Sequence, residues 1–303
     1  MIVTGAQAED VIRTETFAAE GPLDLDVSVT LGKIEIELTA EEGETFVELR
    51  HAPQAGEPWA QGVTTLLNWV NERFGDQFGG ELRGTPAEAV EQTRIELTGK
   101  RLVVRAPKAL PLRNTPIAVK VRAPAGSSLE IRAGSADVTV TGTSGRADVL
   151  TGAGEVKLDQ TEGAAIVRTG SGGIQLGPTL AGLQLRTGSG SVEVASLSGS
   201  ATVVTGTGNV WVGAASGEIM ARSGSGDLSV AGAADGSLEL ITGSGEIRVG
   251  VRPGVAAEVD LSSGSGKVSS ELEVGMEQPE GDVPLKVRAR TGMGAAVITR
   301  ATE

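Results

Sequence analysis

Glycine returns at a fixed spacing through the middle of this 303-residue chain. Gly134, Gly152, Gly170, Gly188, Gly206 and Gly224 lie 18 residues apart, and Gly243 and Gly264 follow after small insertions. They sit in Gly-Ser-Gly-like turns such as Thr169-Gly-Ser-Gly172 and Thr187-Gly-Ser-Gly190. A period near 20 residues marks a solenoid, in which each unit buries its apolar face only against its neighbours.

Aligning the units on these glycines produces apolar columns. Val138, Val156, Ile174, Val192, Val210, Leu228 and Ile247 form the first, and Val140, Leu158, Leu176, Val194, Val212, Val230 and Val249 stand two residues on. Ala147, Ala165, Leu183, Ala201 and Ile219 come nine residues after the first column, with Val149, Val167, Leu185, Val203 and Ala221 two beyond them. Residues at i and i+2 of a strand share a face, so each 18-residue unit reads as two nine-residue halves, each a strand and a tight turn. Equivalent strands of successive coils would pair in parallel roughly 4.8 Å apart, with right-handed winding as the default. The predicted fold is an all-β, right-handed parallel β-helix. Small residues five positions after the first column (Thr143, Thr161, Thr179, Ala215, Ala233) leave open a short third side to the coil. A narrow Val/Leu/Ala interior explains how a chain with 44 glycines and 2% aromatics can still fold.

Three segments are expected. Residues 1–50 form N-terminal strands, with Leu23, Leu25, Val27 and Val29 alternating before Gly32, and Ile34, Ile36 and Leu38 after it, as a first, atypical coil. Residues 51–94 hold a helical insertion. In it Trp59, Val63, Leu66, Leu67, Val70 and Phe74 share a helical face, Trp69 lies off it, and Thr85-Pro86-Ala-Glu88 has the residues of a helix start. Residues 95–303 are the regular stack, with Ile95–Val104 and Ile117–Val121 leading into it and residues 285–298 returning the repeat as a last coil. The stripe is expected to cap the open end of the stack or to meet a second subunit, because bare strand edges invite aggregation.

The net charge of −13 argues against nucleic acid and anionic lipid as partners. Residues 1–50 carry twelve acids against three bases, an acidic rim. With no cysteine there is neither a disulfide nor a thiolate metal site. The first ten residues lack the basic start and apolar core of a signal peptide, and no run approaches the roughly 20 apolar residues of a membrane helix, so a cytoplasmic location is expected.

No cofactor is expected. The Gly-x-Gly turns precede strands, whereas a phosphate cradle precedes a helix. A calcium β-roll shares the nine-residue beat, but the position after the second glycine runs Asp137, Glu155, Gly173, Ser191, Asn209, Asp227 and Glu246, too few carboxylates for six to eight oxygens per ion. His51 is the one histidine and lies outside the repeats, so no nucleophile–base pair is legible and an enzyme is not expected. One column does suggest contact with a partner. Arg132, Arg168, Arg186, Arg222 and Arg290 take equivalent positions before the turn threonine, interspersed with Leu150, Val204 and Ile241. Pairing with Glu155, Asp227 and Glu246 across the turn would neutralise them, and a partner-facing stripe is the alternative. Trp211 and Met220 also occupy outward offsets, and would mark an interaction surface if they shared one patch.

Repeated Thr-Gly-Ser-Gly-x-[Val/Ile]-x-Val units, ending in Val287-Arg-Ala-Arg-Thr-Gly-Met-Gly294, resemble the bacterial "putative adhesin" β-strand-repeat family, also called toastrack domains. The resemblance runs from about residue 20 to the C-terminus and implies a parallel β-helix without catalytic residues. It further implies links to envelope-stress and regulatory operons for some members and a cell-surface role for others. The expected function is a non-enzymatic scaffold that presents a face to a protein partner. The other readings are a self-assembling oligomer or filament, a surface adhesin and a calcium-binding roll.

Overall fold

The structure, a computed structural model, describes residues 11–39, 43–52, 85–272 and 283–301. The expected β-stack is present. The N-terminal part comprises β1 (Ile12–Ala19), β2 (Asp24–Thr39), β3 (Gly43–His51), helix α1 (Pro86–Glu91), β4 (Arg94–Thr98), β5 (Arg101–Arg105), β6 (Ile117–Pro124) and β7 (Ser128–Ser144). Regular coils follow as β8 (Ala147–Ala153), β9 (Val156–Thr161), β10 (Ala165–Ser171), β11 (Ile174–Thr179), β12 (Leu183–Ser189), β13 (Val192–Ser198) and β14 (Ala201–Thr207). The chain continues through β15 (Val210–Ser225), β16 (Leu228–Ser244), β17 (Ile247–Val251), β18 (Ala257–Ser263), β19 (Val268–Ser270), β20 (Leu285–Met293) and β21 (Ala296–Arg300).

Successive coils pair in parallel at the 18-residue offset read from the glycines. Ala165 sits opposite Leu183 and Leu183 opposite Ala201 along one side of the coil, while Ile174 sits opposite Val192 along the other. The turn glycines stack directly: a Cβ on Gly188 would lie 2.5 Å from the carbonyl oxygen of Gly170, and one on Gly206 equally close to that of Gly188. No side chain fits a contact that tight, which is why the column is glycine. The inward columns are buried as expected, and a further column of turn hydroxyls, Thr151, Thr169, Thr187, Thr205, Ser223, Thr242 and Thr291, is buried with them. Burial alternates along each strand except after the second inward residue, where two outward positions separate Leu158 from the buried Thr161 and Leu176 from Thr179. Since alternation carries every second residue inward, that break turns the strand through a corner and makes a short third side. Thr161, Thr179, Leu197, Ala215 and Ala233 line it.

Both ends depart from the order of the sequence. β2 is a complete coil, as expected, and lies directly on β7, Val27 opposite Ile131 and Ile36 opposite Val140. The strands expected to carry the chain onward into the repeats lie on the other edge of β2 instead: Val27 also pairs with Val104 of β5, and Ile36 with Val121 of β6. The coil at 101–124 is therefore the outer one. Antiparallel strands finish this end, β4 on β5, β3 on β6 and β1 on β3. Helix α1 rests on it with Ala89 and Val90 fully buried, and starts where expected, at Thr85-Pro86, with a capping box, Thr85 Oγ1 accepting from the Glu88 amide and Glu88 from the Thr85 amide. The apolar stripe from Trp59 to Phe74, with Trp69, lies outside the described residues.

At the far end, Gly264 was expected to follow Gly243. It is Gly292 that stacks on Gly243, where an added Cβ would lie 2.5 Å from the carbonyl oxygen, and Gly264 that stacks on Gly292, where the same distance is 2.7 Å. β20 lies between β16 and β18, and β21 between β17 and β19. The last coil in the sequence is thus the penultimate coil in space. Its inward residues Leu285, Val287, Ala289 and Ile298 are buried, whereas Val259 and Leu261 of the outer coil are half-buried.

Candidate functional site

Parallel stacking in register turns each outward position into a row along the stack. On the side formed by β7, β8, β10, β12, β14, β15, β16 and β20, the row reads Arg132, Leu150, Arg168, Arg186, Val204, Arg222, Ile241, Arg290. The arginine column is therefore a real alignment on one face. The acids expected to neutralise it across the turn do something else. Glu155 pairs with Lys157 and Glu246 with Arg248, each two residues on in sequence. Asp227 Oδ1 accepts from the Glu246 amide at 2.7 Å, as Asn209 does from Asp227 and Asp137 from Glu155. These turn carboxylates and amides tie one coil to the next, and no group of three or more metal-ligating side chains exists among the described residues.

The arginines find other partners, two residues away along the strand or diagonally on the next coil. Arg132 bonds Glu130 at 2.5 Å, Arg222 approaches Glu239 at 3.5 Å, and Arg290 lies 3.9 Å from Asp260, which also meets Arg288. Arg168 and Arg186 are the exception. Directly opposite each other and exposed, they have no ion pair among the described residues. The reason is legible in three neighbouring strands, Ala165–Ser171, Leu183–Ser189 and Ala201–Thr207, which contain no acid although the chain carries −13 overall. Leu150, 46% exposed, and half-buried Val204 flank the two arginines. The adjacent outward row adds Ile166, Gln184, Thr202 and Met220. Leu150 and Val204 look like gaps in the arginine column; the signal that they belong to the same surface is their equal repeat offset.

Met220 is thus part of the arginine side, in line with Thr202 and Glu239. Trp211 is not. It projects from the other side of the coil, 45% exposed, between Glu193 and Ser229, with its ring lying toward Gly213. The two large apolar groups do not form one patch.

A separate ionic cluster lies where the arginine side meets the N-terminal end. Asp26 stands at an outward offset between the inward Leu25 and Val27 of β2, yet is 2% exposed, beneath Arg101 at 2.7 Å and Arg105 at 2.6 Å. Burial opposes its ionisation, but hydrogen bonds from Arg105 and Arg101 and their charges outweigh that and hold its pKa below the ordinary carboxylate value. Asp24, Glu130, Arg146 and Asp148 complete the rim of a cavity of about 350 Å³ there. Glu37 is similarly lowered, chiefly by a hydrogen bond from Lys120 and then, against some burial, by Arg122. Both clusters join the outer coil to β2, so they fasten the end of the stack.

The model of the Toastrack DUF4097 family matches residues 97–292, and the chain belongs to that family. No curated protein matches the chain. Among solved structures it is similar to a putative adhesin from Bacteroides fragilis, at 10% identity and a TM-score of 0.35 over 97% of this chain and 100% of that one. It is also similar to a putative lipid binding protein from Parabacteroides distasonis, at 10% identity and 0.37, covering 95% and 97%. A putative adhesin from Parabacteroides merdae aligns at 9% identity and 0.30, covering 95% and 96%.

Proposed function

We propose that the chain is a non-enzymatic, cytoplasmic scaffold that presents the arginine side of its stack to a protein partner, in an envelope-stress or regulatory pathway. One observation carries this reading. In a chain of net charge −13, three neighbouring strands of the arginine side hold no acid, and the two arginines they carry are exposed and unpaired among the described residues, beside Leu150 and Val204. Charge and apolar groups combined on one flat face are the ingredients of a specific contact. A photo-crosslinker at Gln184 or Thr202, on the arginine side, tests it in native cells against one at Gln175 or Ser229 on the other side. A partner captured only from the arginine side, and lost with Arg168→Glu/Arg186→Glu, supports the reading; equal capture from both sides refutes it. Cell fractionation tests the location, and recovery at the cell surface would favour an adhesin.

A second reading, self-association through the stack end, has its own observation. Among the described residues β18 and β19 pair on one edge only, Val259 and Leu261 are half-buried, and Val268 is 43% exposed. An open strand edge is a template for a further strand. Light scattering and electron microscopy of the purified protein test it, and a monodisperse monomer refutes it.

A further inference from the structure

The row on the arginine side also fixes the shape of what can sit on it. Its members repeat once per coil, so Leu150, Arg168, Arg186, Val204 and Arg222 stand at steps of about 4.8 Å along the stack axis. Taking Arg168 as origin, the row reads apolar at about −4.8 Å, basic at 0 and 4.8 Å, apolar at 9.6 Å and basic at 14.4 Å.

We propose that the partner segment is an acidic amphipathic α-helix lying along the stack axis, across the strands; this rests on the scaffold reading above. An α-helix rises about 1.5 Å per residue. Acids at i and i+3 then fall at about 0 and 4.5 Å, an apolar residue at i+7 at about 10.5 Å, and an acid at i+10 at about 15 Å. An apolar residue at i−3 meets Leu150. Every position lies within about 1 Å of its counterpart, and at about 100° per residue all five occupy one face of the helix. An extended strand on the same axis repeats a face every 6.7 Å or so. It misses Arg186 by about 2 Å and brings no side chain to Val204. Ile166 and Met220, in the adjacent row, give the flank of the helix an apolar border.

Charge complementarity points the same way. Carboxylates on the helix would neutralise the two arginines that have no ion pair among the described residues, while Asp148 and Glu239 at the borders repel an acidic helix that slides out of register.

The test uses the full chain and two synthetic helical peptides of identical composition. One carries the apolar–acid–acid–apolar–acid spacing i−3, i, i+3, i+7, i+10, and the other has those residues scrambled. Fluorescence anisotropy should show the spaced peptide binding roughly tenfold or more tightly than the scrambled one, and weakening as salt is raised. Arg168→Glu/Arg186→Glu should weaken it by a further factor of about ten or more, while Lys157→Glu/Arg248→Glu, the same charge change on the other side, leaves it within about twofold. Circular dichroism confirms that both variants fold. Equal binding of the two peptides, no binding of the spaced peptide, or indifference to the Arg168/Arg186 reversal overturns the helical inference. A partner that crosslinks to the arginine side while the spaced peptide fails leaves the scaffold reading standing; no partner on that side fails the scaffold reading itself.

Discussion

Alanine at three glycines separates the two reasons this stack needs glycine. Gly190 has φ +130°, and a Cβ there would lie 2.1 Å from the carbonyl oxygen and 2.6 Å from the carbonyl carbon of Gly172. Relief requires the two coils to part by about 1 Å, which is more than the hydrogen bonds beside the turn tolerate. Those bonds, Gly172 N–H to Ser189 and Ile174 N–H to Ser191, are 3.1 and 2.9 Å long. Overpacking costs about 1–3 kcal/mol and the backbone strain about 1–3 kcal/mol more, so Gly190→Ala should lose roughly 3–5 kcal/mol. Gly199 has φ +84° but nothing closer than 3.9 Å, so alanine there should show the strain alone, about 1–2 kcal/mol. Gly173 has neither problem, its nearest neighbour being the Ser191 oxygen at 3.9 Å, and Gly173→Ala should be neutral or stabilise by about 0.4–1 kcal/mol. Thermal unfolding followed by far-ultraviolet circular dichroism ranks the three. At about 2–4 °C per kcal/mol, Gly190→Ala should melt some 6–20 °C below wild type. A Gly190→Ala protein melting within about 2 °C of wild type, or no better separated than Gly173→Ala, would refute the view that coil-to-coil contact dictates the glycine column.

Thr187 Oγ1 donates to the Ser189 carbonyl at 3.0 Å, whereas Thr205 Oγ1 is buried without a hydrogen-bond partner among the described residues. Thr187→Val should therefore lose about 1 kcal/mol and Thr205→Val should be neutral or gain, a contrast that urea unfolding resolves. Asp26→Asn should cost about 1–2 kcal/mol at pH 7, discounted because both arginines are half exposed. The carboxylate is more acidic folded than unfolded, so its contribution is full above the unfolded pKa near 3.9 and fades as pH falls through the lower folded value. The gap between wild type and Asp26→Asn should accordingly narrow below about pH 4, and a gap that widens there contradicts the assignment. Thr85→Ala removes the capping hydroxyl of α1 and should lower stability by about 1 kcal/mol, with hydrogen exchange faster at Ala89 and Val90 than elsewhere.

The unit of the fold was legible in the sequence because its cause is local. Val156, Leu158, Ala165 and Val167 alternate inward whatever lies above or below, and the glycines mark where the backbones touch. The order of the units was not legible, since each coil offers its neighbours nearly the same Val/Leu surface and spacing alone cannot choose between Gly264 and Gly292 as successor to Gly243. Composition holds a clue. The coil at 257–270 has Ser262, Ser263, Ser269 and Ser270, suited to a polar outer position, while the coil at 285–300 has Leu285, Val287 and Ile298, suited to burial on both sides. The arginine row followed from repeat offset for the same local reason. Its pattern of pairing did not, because Glu239 reaches Arg222 diagonally from the next coil, and Asp260 reaches Arg290 from a coil whose place the spacing left undecided. Asp26 likewise gave no sign of its partners, which come from β5 across the outer edge of β2.

The interleaved ends change how the stack answers force. In a simple solenoid the first and last coils each hold a single neighbour, and a pull unzips them one hydrogen bond at a time. Here a pull on residues 296–300 loads a strand gripped along both edges, by β17 and by β19, and a pull on β2 loads one gripped by β5, β6 and β7. Two ladders must shear together before either of these strands comes free, so an unfolding motor that engages at residues 296–300 meets its greatest resistance at the start of its work.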